Sequence, residues 1–269
     1  MKTEETWELA ARVLGNRPAA LVSDIDGTVS PIAPSPAEAY VLPECRAALE
    51  MLASRLELVA VVSGRSAEQA RRMVGLDELL YVGNHGLEQW DRARGYRNIA
   101  TTYESEAKRI FQRLQGEVES IQGTRLENKE TVIAIHYRAS AQPNDARRQI
   151  LDAAARVLTG TTFRASEGKK VVELRPPILV DKGSVVANLI EEHRLKTIVF
   201  IGDDLTDVDA LRKIKELRRR GKVTGLSLGV SGDDTPAELT AEADALLPGP
   251  SAVAAFLLSL SKALLPNTD

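Results

Sequence analysis

The sequence predicts an α/β fold, in which a doubly wound parallel sheet carries an inserted α+β domain. Two observations favour this fold. Short apolar runs alternate with segments of helical spacing, as expected for strands joined by crossover helices. The apolar runs are almost continuously hydrophobic, which is typical of strands buried on both faces of a parallel sheet. The chain has 269 residues, enough for one large domain or two modest ones.

The elements of the predicted sheet domain follow from local sequence signals. Its strands are predicted at 19–23, 58–62, 79–82, 197–201 and within 223–230. Pro43 opens one helix, because proline is favoured in the first helical turn. A second helix begins at Ser66, which forms a capping-box pattern with Gln69, and stops at Gly75. Further helical spacing covers 185–193 and 208–219.

The middle of the chain departs from this alternation. Strand-like residues fill 131–138 and 169–174, and helical patterns cover about 103–122 and 145–158. These segments predict a compact α+β domain over residues 99–175. It would be inserted between residues 1–98 and 176–269, which form the sheet domain.

Composition excludes several classes of function. The net charge of −3 gives no general attraction to nucleic acid or to anionic membranes, and an aromatic content of 4% argues against a stacking surface for bases. Cys45 is the only cysteine, so we expect no intrachain disulfide and a reducing, cytoplasmic location. No signal peptide is expected, and the longest apolar stretch, 253–265, is too short and too polar to span a bilayer.

The most informative motif is Asp24-Ile25-Asp26-Gly27-Thr28, which directly follows the first apolar run. Because side chains alternate along a strand, Asp24 and Asp26 are predicted to point the same way at its tip. Two buried carboxylates on one face repel each other unless a hard cation lies between them or one of them holds a proton. Either arrangement favours chemistry on an anionic group.

Three further polar clusters lie at ends of the predicted elements, where open α/β sheets bind their ligands. Ser63-Gly64-Arg65 opens a helix whose first amides favour an anion, Lys182-Gly183 begins a helix after the insert, and 202–207 follows the strand ending at Ile201. Carboxylates, a hydroxyl and a lysine at one edge predict a magnesium and phosphate site. The cation would neutralise phosphoryl charge, and the other groups would hold the phosphoryl oxygens.

These four clusters, in this order, resemble the four motifs of the haloacid dehalogenase (HAD) superfamily of phosphatases. A second set of motifs resembles those of the trehalose-6-phosphate phosphatase family; it lies at 83–86, 127–129, 136–138, 168–176, 181–183 and 202–207, within a similar region of about 19–211. The resemblance implies a HAD-like core whose insert is a specificity cap. It also implies magnesium-dependent hydrolysis of trehalose 6-phosphate through an aspartyl-phosphate.

The resemblance gives roles to the catalytic residues. Asp24 is the expected nucleophile. Asp26 is expected to protonate the departing sugar oxygen and then to deprotonate the attacking water. Ser63 and Lys182 are expected to hold phosphoryl oxygens, with Thr28 as a further contact.

The same resemblance implies a metal site built from carboxylates. Mg²⁺ would be held by Asp24, by Asp203 and by the backbone carbonyl of Asp26. Either Asp204 or Asp207 would orient this set of ligands, and the sequence leaves open which of the two binds the ion directly.

The remaining site residues are expected to bind the substrate. On the core these are Gly64, Arg65 and His85, and on the insert they are Glu127, Asn128, Lys129, Glu167 and Lys169. Carboxylates, amides and ammonium groups suit a disaccharide, because a sugar with the wrong hydroxyls would leave them unpaired.

Two alternative functions stay open. One is the same chemistry on another sugar phosphate, such as sucrose phosphate, mannosyl-phosphoglycerate or glucosylglycerol phosphate. The other is a non-catalytic subunit that binds a sugar phosphate. The expected partner is a small sugar phosphate, with no nucleic acid and no membrane. The chain is expected to be a monomer, and association with a trehalose-phosphate synthase is an open alternative.

Overall fold

The computed structural model describes residues 3–34 and 38–264, and within them twelve strands and nine α-helices form. The strands are β1 (Ala19–Ser23), β2 (Leu58–Val62), β3 (Leu80–Gly83), β4 (Glu88–Asp91), β5 (Gly95–Asn98), β6 (Arg125–Asn128), β7 (Ile133–His136), β8 (Arg164–Gly168), β9 (Val171–Arg175), β10 (Thr197–Gly202), β11 (Thr224–Ser231) and β12 (Ala245–Pro248). The helices are α1 (Thr3–Leu14), α2 (Pro43–Ala53), α3 (Ala67–Val74), α4 (Glu104–Val118), α5 (Pro143–Leu158), α6 (Lys182–Glu192), α7 (Leu205–Arg219), α8 (Ala237–Glu242) and α9 (Gly249–Ala263).

An eight-stranded sheet has the order β12-β11-β10-β1-β2-β3-β4-β5, in which β12 to β3 are parallel and β4 is antiparallel to β3. Strand β1 lies within the parallel part, and all five of its residues are buried. This confirms the predicted α/β class with a large parallel sheet. The strands end within one residue or so of the predicted runs, because long apolar stretches bounded by polar loops leave little freedom in where a buried strand stops.

Both faces of this sheet are covered, as the continuous apolar runs predicted. Ala19 and Leu21 of β1 pack in one buried cluster with residues of α1, α2 and α9. Ala20 and Val22 pack in a second cluster with residues of α6 and α7. The alternation along one strand therefore supplies both clusters, which makes the sheet doubly wound.

Helices α6 and α7 start three residues before the helical spacing at 185 and 208, because aspartates cap them. The start of α6 at Lys182 agrees with the helix expected to begin at Lys182-Gly183. Asp181 caps α6, accepting a hydrogen bond of 2.7 Å from the Ser184 backbone N–H. Asp204 caps α7, with Asp207 completing a capping box. The first turns of both helices therefore contain polar residues that a search for apolar spacing passes over. Ser66 caps α3 as predicted, accepting from the Gln69 N–H at 3.2 Å.

The chain forms two compact units, one of residues 1–97 with 180–269 and one of residues 98–179. The expected insert was 99–175, so the second unit begins one residue earlier and ends four residues later. Its four-stranded sheet has the order β6-β7-β9-β8 and is antiparallel throughout. Helix α4 ends at Val118, short of the expected 122, and α5 begins at Pro143, ahead of the expected 145.

One face of the smaller sheet packs on α4 and α5. Ile133 and Ile135 of β7 and Val172 and Leu174 of β9 are buried in this cluster with helix residues. Strands β8 and β9 form a hairpin in which Gly168 lies opposite Val171, so the loop is two residues long. A two-residue loop fixes the register of a hairpin, and with it the face on which each side chain lies.

No helix among residues 3–34 and 38–264 has the length and apolar character needed to cross a bilayer. The apolar stretch near the C-terminus instead forms α9, whose buried residues pack in the same cluster as β1.

Replacing Phe256 by alanine tests this packing. Phe256 is fully buried on α9, so Phe256→Ala should lower the free energy of unfolding by about 3–5 kcal/mol. Ser251→Ala, on the exposed side of the same helix, should change it by less than about 0.5 kcal/mol. Urea denaturation measures both. Similar small changes in the two variants would show that α9 does not pack on the core as described.

Candidate active site

The parallel pairing of β1 with β10 brings two acidic loops to one edge of the larger sheet. Ser23 lies opposite Ile201 in the register, and the backbone N–H of Asp24 donates to the Ile201 carbonyl at 2.9 Å. Asp24 and Asp203 therefore leave the sheet side by side, and both side chains are buried. This is the edge at which parallel sheets bind ligands.

Lys182 lies between two carboxylates. Its Nζ donates to Asp24 Oδ1 at 2.7 Å and to Asp207 Oδ1 at 2.6 Å, and its side chain is only 2% exposed. Burial by itself would lower the pKa of Lys182, but the two carboxylates more than offset it, so that the pKa is raised above its ordinary value. Lys182 is thus a fixed positive charge.

Asp207 uses both of its oxygens to hold neighbouring groups. Oδ1 accepts from Lys182, and Oδ2 accepts the backbone N–H groups of Asp203 at 3.0 Å and Asp204 at 2.9 Å. Gly202 makes room for this side chain, because a Cβ at Gly202 would lie 2.3 Å from the Asp207 Cγ. Asp207 therefore fixes the loop that carries Asp203.

The carboxylate of Asp203 lies against the Asp24–Thr28 loop. The Thr28 hydroxyl is 3.4 Å from Asp203 Oδ1, as a long hydrogen bond. At Gly27 a Cβ would lie 2.1 Å from Asp203 Oδ2, and the φ of +88° is one that residues with side chains rarely adopt. Glycine is thus required at position 27 for two independent reasons.

The three carboxylates fit a divalent cation. Asp24, Asp203 and Asp207 each offer an oxygen within 4.8 Å of the others. Burial raises the pKa of Asp24 well above its ordinary value, Lys182 lowers it, and the charges of Asp207 and Asp203 raise it further. The cluster has three buried carboxylates and one ammonium, so negative charge is in excess. A hard cation such as Mg²⁺, which prefers oxygen ligands, would neutralise this charge.

The side chain of Asp204, one of the two left open as a direct ligand, lies outside this cluster. So does the side chain of Asp26, which was expected to act as acid and base and to offer only its backbone carbonyl to the cation. The carboxylate of Asp204 accepts a hydrogen bond from the Leu205 backbone N–H, which caps α7. The carboxylate of Asp26 pairs with Arg65, whose Nε and NH2 donate to its two oxygens at 2.7 Å each. Strand β1 ends at Ser23, so the alternation that predicted a shared face for Asp24 and Asp26 does not extend to Asp26.

The Ser63-Gly64-Arg65 loop is held by the segment that follows β3. The Ser63 and Arg65 carbonyls accept the backbone N–H groups of His85 at 3.0 Å and Asn84 at 2.8 Å. The His85 ring lies against Gly64, where a Cβ would be 2.8 Å from the ring Nε2. Asn84 and His85 both have positive φ, of 47° and 56°. A positive φ at residues other than glycine is strained and persists only where surrounding contacts enforce it. This agrees with a segment that is held firmly against the Ser63-Gly64-Arg65 loop.

Glu88 completes this brace and was not among the expected site residues. It is 2% exposed, and its Oε2 accepts the Ala67 backbone N–H at 2.8 Å while its Oε1 accepts the Asn84 side-chain amide. Glu88 thereby ties the start of α3 to the segment after β3. The sequence gives no local sign of this, because a single glutamate after a strand is ordinary.

In the second unit, Glu127, Lys129 and Glu173 form a polar group. Glu127, Ala134 and Glu173 lie opposite one another across β6, β7 and β9, and therefore share a face. Lys129 Nζ donates to Glu173 Oε1 at 2.8 Å, and both side chains are less than a tenth exposed. The carboxylate of Glu127 lies 2.7 Å from His136 Nε2. This face is the one opposite to α4 and α5.

Glu173 was not among the expected site residues, although the sequence carries a signal for its position. Its neighbours Val172 and Leu174 are apolar and buried against the helices, so alternation in a strand places Glu173 on the other face. Glu127 of β6 lies on the same face of the sheet as Glu173. A charged residue between two core residues of a strand is a candidate for function on the second face.

Two of the other expected substrate residues of this unit, Glu167 and Asn128, make contacts away from Glu173. Glu167 lies opposite Val172, on the helix side of the sheet, and pairs with Arg147 of α5 at 2.8 Å. Asn128 Oδ1 accepts the Glu130 backbone N–H at 2.9 Å, which shapes a turn. Lys169 lies in the two-residue loop of the β8–β9 hairpin.

Comparison with known proteins gives one consistent family. The family model described as trehalose-phosphatase matches residues 22–242. A probable trehalose-phosphate phosphatase 4 of Oryza sativa subsp. japonica is 31% identical over 264 residues, which cover 94% of this chain and 68% of that protein. A trehalose-phosphate phosphatase of Mycobacterium avium is 33% identical over 243 residues, covering 87% of this chain and 60% of that protein.

A solved structure shares the fold. The C-terminal domain of the Candida albicans trehalose-6-phosphate phosphatase has a TM-score of 0.77 and 21% identity, and the match covers 95% of this chain and 96% of that domain. The similarity extends over nearly all of the described elements, including both sheets.

Neighbouring aspartates provide a matched test of the cation site. Mg²⁺ that binds the folded state should raise the Tm of the wild type. Asp203→Asn should remove most of this rise, because Asp203 belongs to the carboxylate cluster. Asp204→Asn removes the same charge but keeps a residue that can cap α7, and should retain the rise. Thermal unfolding at several Mg²⁺ concentrations measures the response. Equal losses in both variants would contradict this site.

Proposed function

Because the chain belongs to the trehalose-phosphatase family, we propose that it hydrolyses trehalose 6-phosphate to trehalose and inorganic phosphate. Membership of this family makes the protein a phosphoric monoester hydrolase. The observation that carries the proposal is the buried cluster of Asp24, Lys182, Asp203 and Asp207 at one edge of the parallel sheet. Such a cluster supplies a nucleophile, a fixed positive charge and oxygen ligands for a cation within a few ångströms of each other.

In the first half of the proposed reaction, Asp24 attacks the phosphorus. Its carboxylate oxygen forms a bond to phosphorus as the bond from phosphorus to the sugar oxygen breaks. The proton of the Asp26 carboxyl group moves to the departing sugar oxygen, so trehalose leaves as the neutral alcohol. Asp24 then carries the phosphoryl group, and Asp26 is a carboxylate.

In the second half, water releases the phosphate. The water oxygen bonds to phosphorus as the Asp24–phosphorus bond breaks, and Asp26 accepts the proton that the water loses. This returns Asp24 to a carboxylate and Asp26 to its protonated form, so the two residues end as they began. The general base and acid are therefore one group.

We propose Mg²⁺ as the cation, held by Asp24, Asp203 and the backbone carbonyl of Asp26. When bound, it would neutralise negative charge on the phosphoryl oxygens. The contacts of Asp207 favour a positioning role for that residue, because both of its oxygens already hold Lys182 and the loop amides. Asp204 is assigned to helix capping.

The phosphoryl group is proposed to bind Lys182, the Ser63 hydroxyl and the backbone of Gly64. Lys182 is a buried ammonium, and Ser63 is 1% exposed at the end of β2. Thr28 is expected to act on this site through Asp203, which its hydroxyl contacts. His85 supports the same loop by packing on Gly64.

We propose that the second unit selects the sugar through Glu127, Lys129 and Glu173. Their charges lie together on one face, and a carboxylate can accept hydrogen bonds from adjacent sugar hydroxyls. Asn128, Glu167 and Lys169 stay predictions from the family resemblance. The cytoplasmic location, the monomeric state and a synthase partner also stay predictions from the sequence.

The non-catalytic alternative is disfavoured by the buried charges. Burying three carboxylates and an ammonium costs free energy of folding, which a catalytic role for these groups would explain. A subunit that only binds a sugar phosphate needs no nucleophilic carboxylate beside the phosphate. Another sugar phosphate remains the second candidate, because the core cluster fixes phosphoryl chemistry and leaves the sugar to the second unit.

Replacing Asp24 tests the enzyme. Asp24→Asn should lower phosphate release from trehalose 6-phosphate by at least about 10⁴-fold, since the nucleophile is lost. Asp77→Asn makes the same change at the surface, where Asp77 pairs with Arg71, and should leave the rate near that of the wild type. Phosphate assays at saturating Mg²⁺ measure both. A wild type that releases no more phosphate than Asp24→Asn would refute the proposed activity.

Two glutamates on opposite faces of one sheet test sugar selection. Glu173→Gln should reduce kcat/KM for trehalose 6-phosphate by about 10- to 100-fold, the loss expected of one or two charged hydrogen bonds. It should reduce kcat/KM for p-nitrophenyl phosphate, which has no sugar, by about threefold or less. Glu167→Gln should affect neither by more than about threefold, because Glu167 faces α5.

A panel of sugar phosphates completes this test with the wild type. Trehalose 6-phosphate should have a higher kcat/KM than sucrose phosphate, mannosyl-phosphoglycerate or glucosylglycerol phosphate. A higher value for any of these, or a larger loss in Glu167→Gln than in Glu173→Gln, would overturn the sugar assignment.

A further inference from the structure

We propose that Arg65 is a positioning residue that fixes the orientation of the Asp26 carboxyl group, which donates its proton to the leaving oxygen. This role rests on the proposed function, in which Asp26 is the proton donor. The family resemblance placed Arg65 among the groups that bind substrate, whereas its guanidinium contacts Asp26 in the structure.

The contact between the two side chains is bidentate. Nε of Arg65 donates to Oδ2 of Asp26 and NH2 donates to Oδ1, both at 2.7 Å. Each of these bonds involves two charged groups, and a planar guanidinium that engages both oxygens fixes the plane of the carboxylate. The Arg65 side chain is 15% exposed and that of Asp26 is 35% exposed, so solvent reaches Asp26 more than it reaches the arginine.

The backbone of Arg65 is held from both sides. Its N–H donates to the Ser63 hydroxyl at 3.2 Å, and its carbonyl accepts the Asn84 N–H at 2.8 Å. The buried Glu88 accepts hydrogen bonds from Asn84 and from the Ala67 N–H just beyond Arg65. The guanidinium thus projects from a braced loop, which is what a residue that orients another group requires.

The contact is compatible with both halves of the reaction. A carboxyl group that carries a proton on one oxygen still has an acceptor oxygen on the other, so one hydrogen bond from Arg65 can persist while the proton is delivered. When Asp26 is a carboxylate again, both bonds can form. Arg65 itself neither gives nor takes a proton, because guanidinium does not deprotonate in proteins.

This role predicts a loss that depends on the leaving group. Nitrophenolate departs readily without a proton, whereas a sugar or alkyl alkoxide does not. Replacing a residue that acts through the proton donor therefore lowers kcat/KM most for substrates with poor leaving groups. Replacing a residue that binds the phosphoryl group lowers kcat/KM by the same factor for all substrates. The ratio kcat/KM reports only steps up to departure of the leaving group, so it isolates this effect from hydrolysis of the aspartyl-phosphate.

The experiment measures kcat/KM for trehalose 6-phosphate and for a series of aryl phosphates that differ in leaving-group pKa. The variants are Arg65→Gln, Arg65→Lys, Asp26→Asn and the double variant of Arg65→Gln with Asp26→Asn. Arg72→Gln is the matched control, because Arg72 is an exposed arginine of α3 that pairs only loosely, at 3.6 Å, with Glu68.

Arg65→Gln should lower kcat/KM for trehalose 6-phosphate by about 10- to 100-fold, and for the nitrophenyl ester by about threefold or less. The first loss is smaller than most of the roughly 10²- to 10⁴-fold that a general acid contributes, because Asp26 itself remains. Across the aryl series, log kcat/KM should fall more steeply with leaving-group pKa than in the wild type. Arg65→Lys should recover only part of the loss, because an ammonium cannot engage both oxygens in the same way. Arg72→Gln should match the wild type.

The double variant should be no slower than Asp26→Asn alone, since an orienting residue has no effect without the group it orients. A uniform loss across the aryl series, or full additivity with Asp26→Asn, would overturn the positioning role and assign Arg65 to the phosphoryl group or to folding. Failure of the proposed substrate is distinguishable: a steeper slope in the aryl series without turnover of trehalose 6-phosphate supports Arg65 and rejects the sugar.

Discussion

The buried ammonium of Lys182, shared between Asp24 and Asp207, is the interaction on which the site depends. It joins three parts of the larger unit, namely the end of β1, the start of α6 and the first turn of α7. A lysine so deeply buried is stable only with carboxylate partners, and the carboxylates in turn need its charge. The excess negative charge that remains is what makes a divalent cation favourable here, so Lys182 and its two carboxylate partners account for both the structure of this edge and its charge.

Residues of this edge serve the helices and the site together. Asp207 belongs to the capping box of α7 and also holds Lys182, and Asp204 caps the same helix beside Asp203. Gly27 and Gly202 leave room for the carboxylates that approach them. Because the same atoms satisfy helix ends and shape the cluster, substitutions in these loops should affect stability and activity in parallel, which is a common property of sites built on helix N-termini.

The sequence predicted most of the elements, and it singled out the residues that the structure brings together at one edge of the larger sheet, because both depend on signals that are local in the chain. Apolar runs located the strands, and polar residues directly after them located Asp24 and the loop with Asp203. It could not predict the partner of Asp26, since Arg65 lies 39 residues away and the contact depends on how two loops meet. Nor did it place Glu167 on the helix side of the smaller sheet, because that face follows from the register of the β8–β9 hairpin, whereas the apolar neighbours of Glu173 already indicate its face.

The two-residue loop at Lys169 and Lys170 has a consequence for how the second unit can change over evolutionary time. Lys170 adopts a positive φ of 63°, and the hairpin around it places Glu173 and Glu167 on opposite faces. A single-residue insertion or deletion there would shift one strand against the other without touching the helices. Under the proposed sugar selection, changes in loop length would alter the preferred sugar in abrupt steps, and point substitutions would alter it gradually. The cluster of Asp24, Lys182, Asp203 and Asp207 lies in the other unit and would evolve under a separate constraint.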